Sequence, residues 1–169
     1  VLLTMFSQNT NLLLAFLRDH NTARSVLDVF NDLYAMFGRE TYCRLFPVIL
    51  TDRGSEFSNP VPIEQDENGE LRSLVFYCNP SAPYQKGGIE VAHELIRRIL
   101  PKGKSFDDLQ QEDIDLMLSH INSYKRGKLN SRSAYQLFNF IYGDDILPKL
   151  NIREIEANYI VLSPKLLKK

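Results

Sequence analysis

The sequence predicts an α/β fold, because strand-like and helix-like segments alternate along a chain of 169 residues. Two β-rich runs, residues 1–6 and 12–18, flank a polar cluster, which indicates a β-hairpin. Apolar residues then recur at helical spacing from Val26 to Phe37, and a short apolar run over 46–51 ends in a tight turn. A helix that links a hairpin to a following strand favours a right-handed crossover in a mixed sheet.

Capping and stop residues predict where the helices begin and end. Asn21 or Thr22 is expected to cap the first helix, and Gly38 is expected to end it. The remaining elements are one strand and three helices, in chain order a strand over 71–78 and helices over 89–100, around 114–121 and over 134–142. These elements predict a core over residues 1–142 and a helical or flexible tail over 143–169.

The composition is that of an ordinary globular domain, 44% hydrophobic and 24% charged. No apolar run approaches the roughly 20 residues that cross a bilayer, so we expect no membrane partner. Two cysteines and three well-spaced histidines favour reduced thiols in a cytoplasmic protein and argue against a zinc site. The chain begins without Met inside an apolar run, which suggests a fragment whose start lies upstream.

The charge distribution is more informative than the net charge of −1. Residues 85–169 carry 14 Lys and Arg against 11 Asp and Glu, whereas residues 1–84 carry 6 against 10. The basic residues of the second half form two clusters, Arg97, Arg98, Lys102 and Lys104, and Lys125, Arg126, Lys128 and Arg132. Such patches can engage phosphates while the chain stays near neutral, although charge runs are often only solvated faces.

Two carboxylates lie at positions that often form functional sites, one at the end of a strand and one at the start of a helix. Asp52 comes just after a predicted buried strand, and Glu90 lies in the first turn of a predicted helix, directly after Gly87 and Gly88. Oxygen donors from a strand end and a helix start suit Mg²⁺ or Mn²⁺. The alternative is a turn-forming Asp and a Glu that the helix dipole favours.

The sequence segments around these carboxylates resemble motifs of a known family. Residues 50–57 (LTDRGSEF) resemble the TDNGxEF segment at the second Asp of integrases and insertion-sequence transposases. Residues 79–90 (NPSAPYQKGGIE) resemble the loop and third acidic residue of that family, with 38 residues from Asp52 to Glu90. Residues 95–103 (LIRRILPKG) and a segment like RSPYELF that starts at Arg132 extend the resemblance to about residue 140.

The resemblance implies the catalytic core of a DDE transposase of the retroviral-integrase-like superfamily. It implies a ribonuclease-H-like mixed sheet flanked by helices, whose first, central strand is missing from the chain. Such enzymes cut and join DNA by phosphoryl transfer with two Mg²⁺ or Mn²⁺ ions. Asp52 and Glu90 would be two catalytic, metal-binding carboxylates, and the first Asp would precede Val1. We therefore assign the activity to a parent enzyme of a bacterial mobile element and expect the fragment alone to be inactive.

Three neighbouring residues compete for roles at this site. Glu94 lies at i+4 from Glu90 and is the rival for the third acidic position, but we expect it to pair with one of the two arginines that follow it. His93 could lie near the site or could be a plain surface histidine. Glu56 is interpreted as a turn residue that supports Asp52.

The resemblance also implies contacts with DNA, both transposon ends and target, and self-association. The six residues expected to contact DNA are Tyr84, Gln85, Lys86, Arg97, Arg98 and Lys102. A lysine supplies charge for a phosphate and a tyrosine can stack on an unpaired base, although Tyr84 could equally cap the core. The two adjacent arginines cannot both face one surface of a helix.

Two departures from the family motifs leave other functions open. Arg53 and Val91 stand where the family usually has Asn, and both positions adjoin the expected metal site. One alternative is a catalytically incomplete remnant that only binds DNA or a transposase subunit. Another is a ribonuclease-H-like nuclease that cuts without strand transfer.

Overall fold

The computed structural model of the chain describes residues 1–79 and 88–168. Within these residues the strands are β1 (Leu2–Phe6), β2 (Leu13–Leu17), β3 (Val48–Thr51), β4 (Leu74–Tyr77), β5 (Lys125–Arg126) and β6 (Arg132–Ser133). The α-helices are α1 (Ala23–Leu45), α2 (Val61–Glu64), α3 (Ile89–Ile99), α4 (Gln111–Ser123) and α5 (Ala134–Tyr142). The predicted α/β class is confirmed. None of the described helices combines the length and the apolar composition that a membrane crossing requires.

The chain divides into two compact units. The first unit comprises Val1 with Arg18–Gly87, and the second comprises Leu2–Leu17 with Gly88–Lys169. In the described residues the strands form three two-stranded sheets, β1 with β2, β3 with β4, and β5 with β6, so the predicted crossover within one mixed sheet is not found there. The predicted boundary at residue 142 remains a prediction.

Helix α1 dominates the first unit. Thr22 caps it as predicted, because its side chain accepts a hydrogen bond from the Ser25 N–H while the Ser25 side chain accepts one from the Thr22 N–H. The prediction that Gly38 ends the helix is confirmed for its first segment, because the φ of 76° and ψ of 165° at Gly38 are not helical. A second helical segment follows and runs to Leu45. The buried Tyr42 of the second segment stacks on Phe46, with ring centroids 5.0 Å apart.

Strands β3 and β4 are parallel, with Val48 opposite Leu74 and Thr51 opposite Tyr77. Side chains of adjacent residues point to opposite faces of a strand. On one face Thr51 is buried, whereas the other face carries four exposed apolar side chains, Val48, Leu50, Leu74 and Phe76. Parallel sheets are normally covered on both faces, so this sheet is unusual in leaving one face open.

A buried arginine organises the first unit beside this sheet. Arg72 is only 3% exposed, and its guanidinium donates to the carbonyl oxygens of Pro62 and Ile63 and to the Asn31 side chain at 2.8–3.0 Å. The guanidinium carbon also lies 5.0 Å from the centre of the Tyr34 ring. Its charge is therefore held by hydrogen bonds and by a cation–π contact.

The second unit is built around the β1–β2 hairpin and helix α4. The hairpin is confirmed, with Leu2 opposite Leu17 and Phe6 opposite Leu13. Helix α4 lies along β2, and its Asn122 side chain both accepts from the Leu13 N–H at 2.9 Å and donates to the Leu13 carbonyl at 2.8 Å. Gln111 repeats this pattern at the other end of the helix, accepting from the Leu17 N–H and donating to the Ala15 carbonyl. Two amide side chains thus seal the backbone edge of β2.

The C-terminal segment packs on α4 through polar side chains of that helix. Ser119 and Ser123 accept hydrogen bonds from the backbone N–H groups of Arg153 and Ile155. His120 accepts one from the Val161 N–H at 3.0 Å through Nδ1. These contacts explain why polar residues are buried on a helix that would otherwise pack through apolar residues alone.

Candidate metal and DNA-binding site

Asp52 follows the last residue of β3 and is exposed, while its neighbour Thr51 is buried. The Asp52 carboxylate accepts a hydrogen bond from the Gly54 N–H at 3.0 Å, which forms a tight turn at the carboxyl end of the strand. The prediction of a strand that runs into a turn at Asp52 is therefore confirmed, but the prediction that this strand is buried is wrong, because Val48 and Leu50 are exposed on one face of the sheet. This turn fixes the backbone from which the carboxylate projects.

Glu56 lies on the next turn, a 3₁₀ helix over Ser55–Phe57, and its carboxylate approaches the same glycine. A Cβ atom on Gly54 would lie 2.7 Å from Glu56 Oε2 and 3.0 Å from Asp52 Oδ1. A side chain at this position would therefore push one of these carboxylates aside. The Tyr77 hydroxyl donates a short hydrogen bond to the Phe57 carbonyl and so ties this turn to the end of β4.

A buried cation lies in the field of Glu56. Arg18 is 8% exposed and donates to the side chains of Ser25 and Asn21. Burial lowers the pKa of the Arg18 guanidinium, and the negative charge of Glu56 acts in the opposite direction. Glu56 thus has an electrostatic role in the first unit in addition to its place in the turn.

Glu90 is exposed in the first turn of α3, in the second unit. Gly88 precedes the helix with a φ of 94°, and a Cβ atom there would lie 2.6 Å from the Phe6 ring. This positive φ is one that residues with a side chain rarely adopt, and Gly87 lies outside the described residues. Positive φ and the close approach of Phe6 both favour glycine at position 88, which immediately precedes α3, and Glu90 is the second residue of that helix.

The neighbours of Glu90 have other contacts. His93 is exposed, and its Nε2 lies 3.0 Å from the Thr4 hydroxyl. Glu94 is exposed but forms no ion pair with Arg97 or Arg98 among the described residues, so the expected pairing is wrong. Arg97 instead directs one guanidinium nitrogen towards the Leu100 carbonyl at the end of the helix, 3.5 Å away.

The residues expected to contact DNA divide into two groups. Tyr84, Gln85 and Lys86 lie outside the described residues. Arg97 and Arg98 near the end of α3, and Lys102 just after it, are all exposed in the second unit. Their DNA contacts remain a prediction.

Asp52 belongs to the first unit and Glu90 to the second. Within residues 1–79 and 88–168, no three His, Cys, Asp or Glu side chains are grouped so as to hold a metal ion. The assignment of the two carboxylates as catalytic metal ligands therefore remains a prediction. The sequence predicted no individual role for Arg126, whose guanidinium has buried donors.

The chain is distantly homologous, over part of its length, to insertion-sequence transposases and to a viral integrase. It is 28% identical over 137 residues to the putative integrase ORF3 of Spiroplasma virus SpV1-R8A2 B, a match that covers 81% of this chain and 40% of that protein. It is 35% identical over 63 residues to the transposase for IS1086 of Cupriavidus metallidurans, which covers 37% of this chain and 19% of that protein.

A third relative is the transposase for IS4351 of Bacteroides fragilis, 28% identical over 94 residues, which covers 56% of this chain and 28% of that protein. The matches therefore span less than half the length of each of these relatives. No protein-family model matches the chain. The resemblance deduced from the motifs is confirmed at the level of distant homology.

Proposed function

We propose that the chain is part of the catalytic core of a DDE-type transposase, which cuts DNA and transfers the strand by metal-dependent phosphoryl transfer. The distant homology to transposases and to a viral integrase carries this proposal. The proposed fold is ribonuclease-H-like, and its support is the order of hairpin, helix, strand and later helices along the chain. The partners we propose are DNA and further copies of the same enzyme.

The position of Asp52 supports a catalytic role. It stands at the carboxyl end of β3, which is parallel to β4, and ligands collect at the carboxyl ends of parallel strands. Its backbone is held by the turn at Gly54, so the carboxylate projects from a rigid element. The exposed side chain is accessible to a ligand.

The donor chemistry fits a hard divalent cation. Asp52 and Glu90 are exposed carboxylates, which are the ligands that Mg²⁺ and Mn²⁺ prefer, and Glu56 lies beside Asp52 at Gly54. We propose that Asp52 and Glu90 would hold the two ions together with a carboxylate outside the described residues. When bound, the ions would supply activation of the attacking oxygen and stabilisation of the leaving oxygen.

The chain's own residues would bind and orient DNA around these carboxylates. Arg97, Arg98 and Lys102 are exposed cations in the same unit as Glu90, and phosphates are their natural ligands. We propose that they hold the DNA backbone, and that Tyr84, Gln85 and Lys86 make further contacts.

The test compares two glutamates one helical turn apart in an intact enzyme that carries this core. Glu90→Gln keeps the shape of the side chain but removes its charge, so we expect DNA strand transfer in Mg²⁺ to fall to background. Glu94→Gln is the matched control and should leave strand transfer close to wild type. Loss of activity in Glu94→Gln with full activity in Glu90→Gln would overturn the assignment of Glu90.

The same assay separates the alternative functions. A remnant that only binds DNA would show DNA binding without cleavage or joining in the wild-type enzyme. A ribonuclease-H-like nuclease would nick DNA in Mg²⁺ without joining it to a target. Either result would replace the transposase proposal.

A further inference from the structure

The second basic cluster of the sequence forms a hairpin in the second unit. Strands β5 and β6 pair across residues 125–132, which we call the basic hairpin. Its eight residues, KRGKLNSR, contain four cations and no carboxylate. The turn is closed by hydrogen bonds from the Asn130 N–H to the Gly127 carbonyl and from the Ser131 N–H to the Arg126 carbonyl, both 3.1 Å. A well-defined turn therefore presents a concentrated positive charge.

The arrangement of these charges is unfavourable for the fold alone. The strand register places Arg126 directly opposite Arg132, and like charges in that position destabilise a strand pair. None of the four cations forms an ion pair with any carboxylate in the described part of the chain. Lys125, Lys128 and Arg132 are exposed. The positive charge of the basic hairpin is thus uncompensated.

Arg126 has unmatched donors. Its Nε and Nη2 are buried and have no hydrogen-bond partner within the described residues. Burial lowers the pKa of this guanidinium, whose charged form is therefore less favourable here than in water. Arg72, by contrast, is more deeply buried and its guanidinium reaches three oxygen acceptors. Buried donors without acceptors cost free energy, so Arg126 needs an explanation that packing does not provide.

The hairpin is held firmly enough to position a ligand. The residue that follows it, Ser133, caps α5 by accepting from the Gln136 N–H while the Gln136 side chain accepts from the Ser133 N–H. At its other end the Tyr124 N–H donates to the Ile121 carbonyl at the end of α4. The basic hairpin therefore joins two helices of the second unit and is fixed at both ends.

We propose that the basic hairpin binds the phosphate backbone of DNA, with Arg126 as a half-buried anchor and the three exposed cations as flanking contacts. A phosphate brings the negative charge and the acceptor oxygens that the hairpin lacks, and guanidinium groups match phosphate geometry well. Several cations on one short hairpin suit a polymer with regularly spaced phosphates better than a single small anion. The choice of DNA rests on the proposed function.

The first test removes the exposed charges from the 169-residue chain. The variant carries Lys125→Gln, Lys128→Gln and Arg132→Gln, and its control carries Arg24→Gln, Lys149→Gln and Lys165→Gln. Binding to a labelled DNA duplex of random sequence is measured by fluorescence anisotropy at rising KCl concentration. Each lost phosphate contact should reduce the slope of log affinity against log salt by about one, so the variant should lose about three and the control none.

The second test distinguishes an anchor from a structural residue. Arg126→Met keeps a long apolar stem and removes the unmatched donors, so its midpoint of thermal unfolding should equal or exceed that of the wild type. Its DNA affinity should fall at least about tenfold, a loss in the range of a phosphate contact made by a charged group. A lower unfolding midpoint with unchanged DNA affinity would overturn the proposal.

Further outcomes separate this proposal from the function on which it rests. If wild-type chain binds DNA and the triple variant keeps the same salt slope, the hairpin proposal is wrong while the transposase proposal stands. If the chain binds an RNA duplex but no DNA duplex, the hairpin is not a DNA site. Strand transfer by the intact enzyme, measured with Glu90→Gln, then decides the proposed function independently.

Discussion

The β1–β2 and β3–β4 sheets each have two strands, but the rest of their units covers them to very different extents. In the second unit, α4 seals the edge of β2 with the side chains of Asn122 and Gln111. In the first unit, the β3–β4 sheet leaves an apolar face exposed, with Val48 at 56% and Phe76 at 52% exposure. The sheet that precedes Asp52 is therefore the less complete of the two.

This difference shows which of the two sheets obtains its packing and hydrogen-bond partners from the rest of its own unit. Two strands alone are marginal in water and need further packing. The β1–β2 hairpin obtains that packing from α4. The side chains of Asn122 and Gln111 make the hydrogen bonds to the β2 backbone that a neighbouring strand would otherwise make. The β3–β4 sheet has no such cover on one face within the described residues.

The largest effect is expected from breaking the sealed edge. Asn122→Ala would leave the N–H and the carbonyl of Leu13 buried without partners, because the Asn122 side chain is fully buried. The free energy of unfolding should fall by roughly 2–6 kcal/mol, from about 1–3 kcal/mol for each of the two unmatched groups. Urea unfolding followed by circular dichroism measures the loss.

Gln111→Ala is the matched control for that edge. Its two hydrogen bonds to β2 are only partly buried, so water can replace them and the loss should be smaller. Equal losses in the two variants would mean that burial of the edge is not what makes Asn122 important.

A smaller effect is expected at the start of α3. Gly88→Ala would place a side chain in the left-handed region and against the Phe6 ring, at a cost of about 1–3 kcal/mol. Phe6→Leu in the same chain should recover only the part due to the clash. Unfolding free energies of the two single variants and the double variant form the test. If the losses of unfolding free energy in the two single variants add fully in the double variant, the Phe6 ring does not clash with a side chain at position 88.

A pH dependence is expected where the C-terminal segment contacts α4. Burial, and then the charge of Arg153, lower the pKa of His120, which stays neutral and accepts from the Val161 N–H. A lowered pKa in the folded state means that this stability is present above the unfolded pKa of about 6.5 and is lost as the pH falls below it. The stability lost is that of one hydrogen bond, about 1 kcal/mol.

The measurement is amide hydrogen exchange at Val161 between neutral and mildly acidic pH, corrected for intrinsic exchange. Protection should decrease below the unfolded pKa in wild type. His120→Gln, which offers an acceptor that does not titrate in this range, should show no such decrease. A decrease of the same size in His120→Gln would rule out the histidine as its cause.

The smallest effect is expected on the open face. Phe76→Thr replaces an exposed aromatic with another good strand former, so the free energy of unfolding should change by no more than about 0.5 kcal/mol. Leu13→Thr, at a fully buried position of β2, should cost about 2–4 kcal/mol. A comparable loss in both variants would show that the β3–β4 face is covered in solution.

Local patterns predicted most of the elements. The hairpin, the Thr22 cap and the helix over 134–142 follow from alternation, capping residues and helical spacing, all of which act between near neighbours. Gly38 ends the first helical segment, as the local signal of a glycine after an apolar helical pattern predicts. The second helical segment, which runs to Leu45, was not predicted.

Contacts between distant residues could not be predicted in this way. The hydrogen bonds of Asn122 to Leu13 join positions 109 residues apart, and no local pattern shows that an amide will replace a strand. The turn at Asp52 could be predicted, because Asp-x-Gly is a local signal. The approach of Glu56 to the same glycine depends on side-chain rotamers, which the sequence leaves open.

The most direct test of the central claim is DNA strand transfer by an intact enzyme with Asp52→Asn. Asparagine keeps an oxygen that can accept from the Gly54 N–H, so the turn and the fold should be retained. Without the charge a divalent ion loses a ligand, and the account predicts that strand transfer in Mg²⁺ falls to background while DNA binding persists. Strand transfer near the wild-type rate would contradict the assignment of Asp52 as a metal-binding catalytic residue.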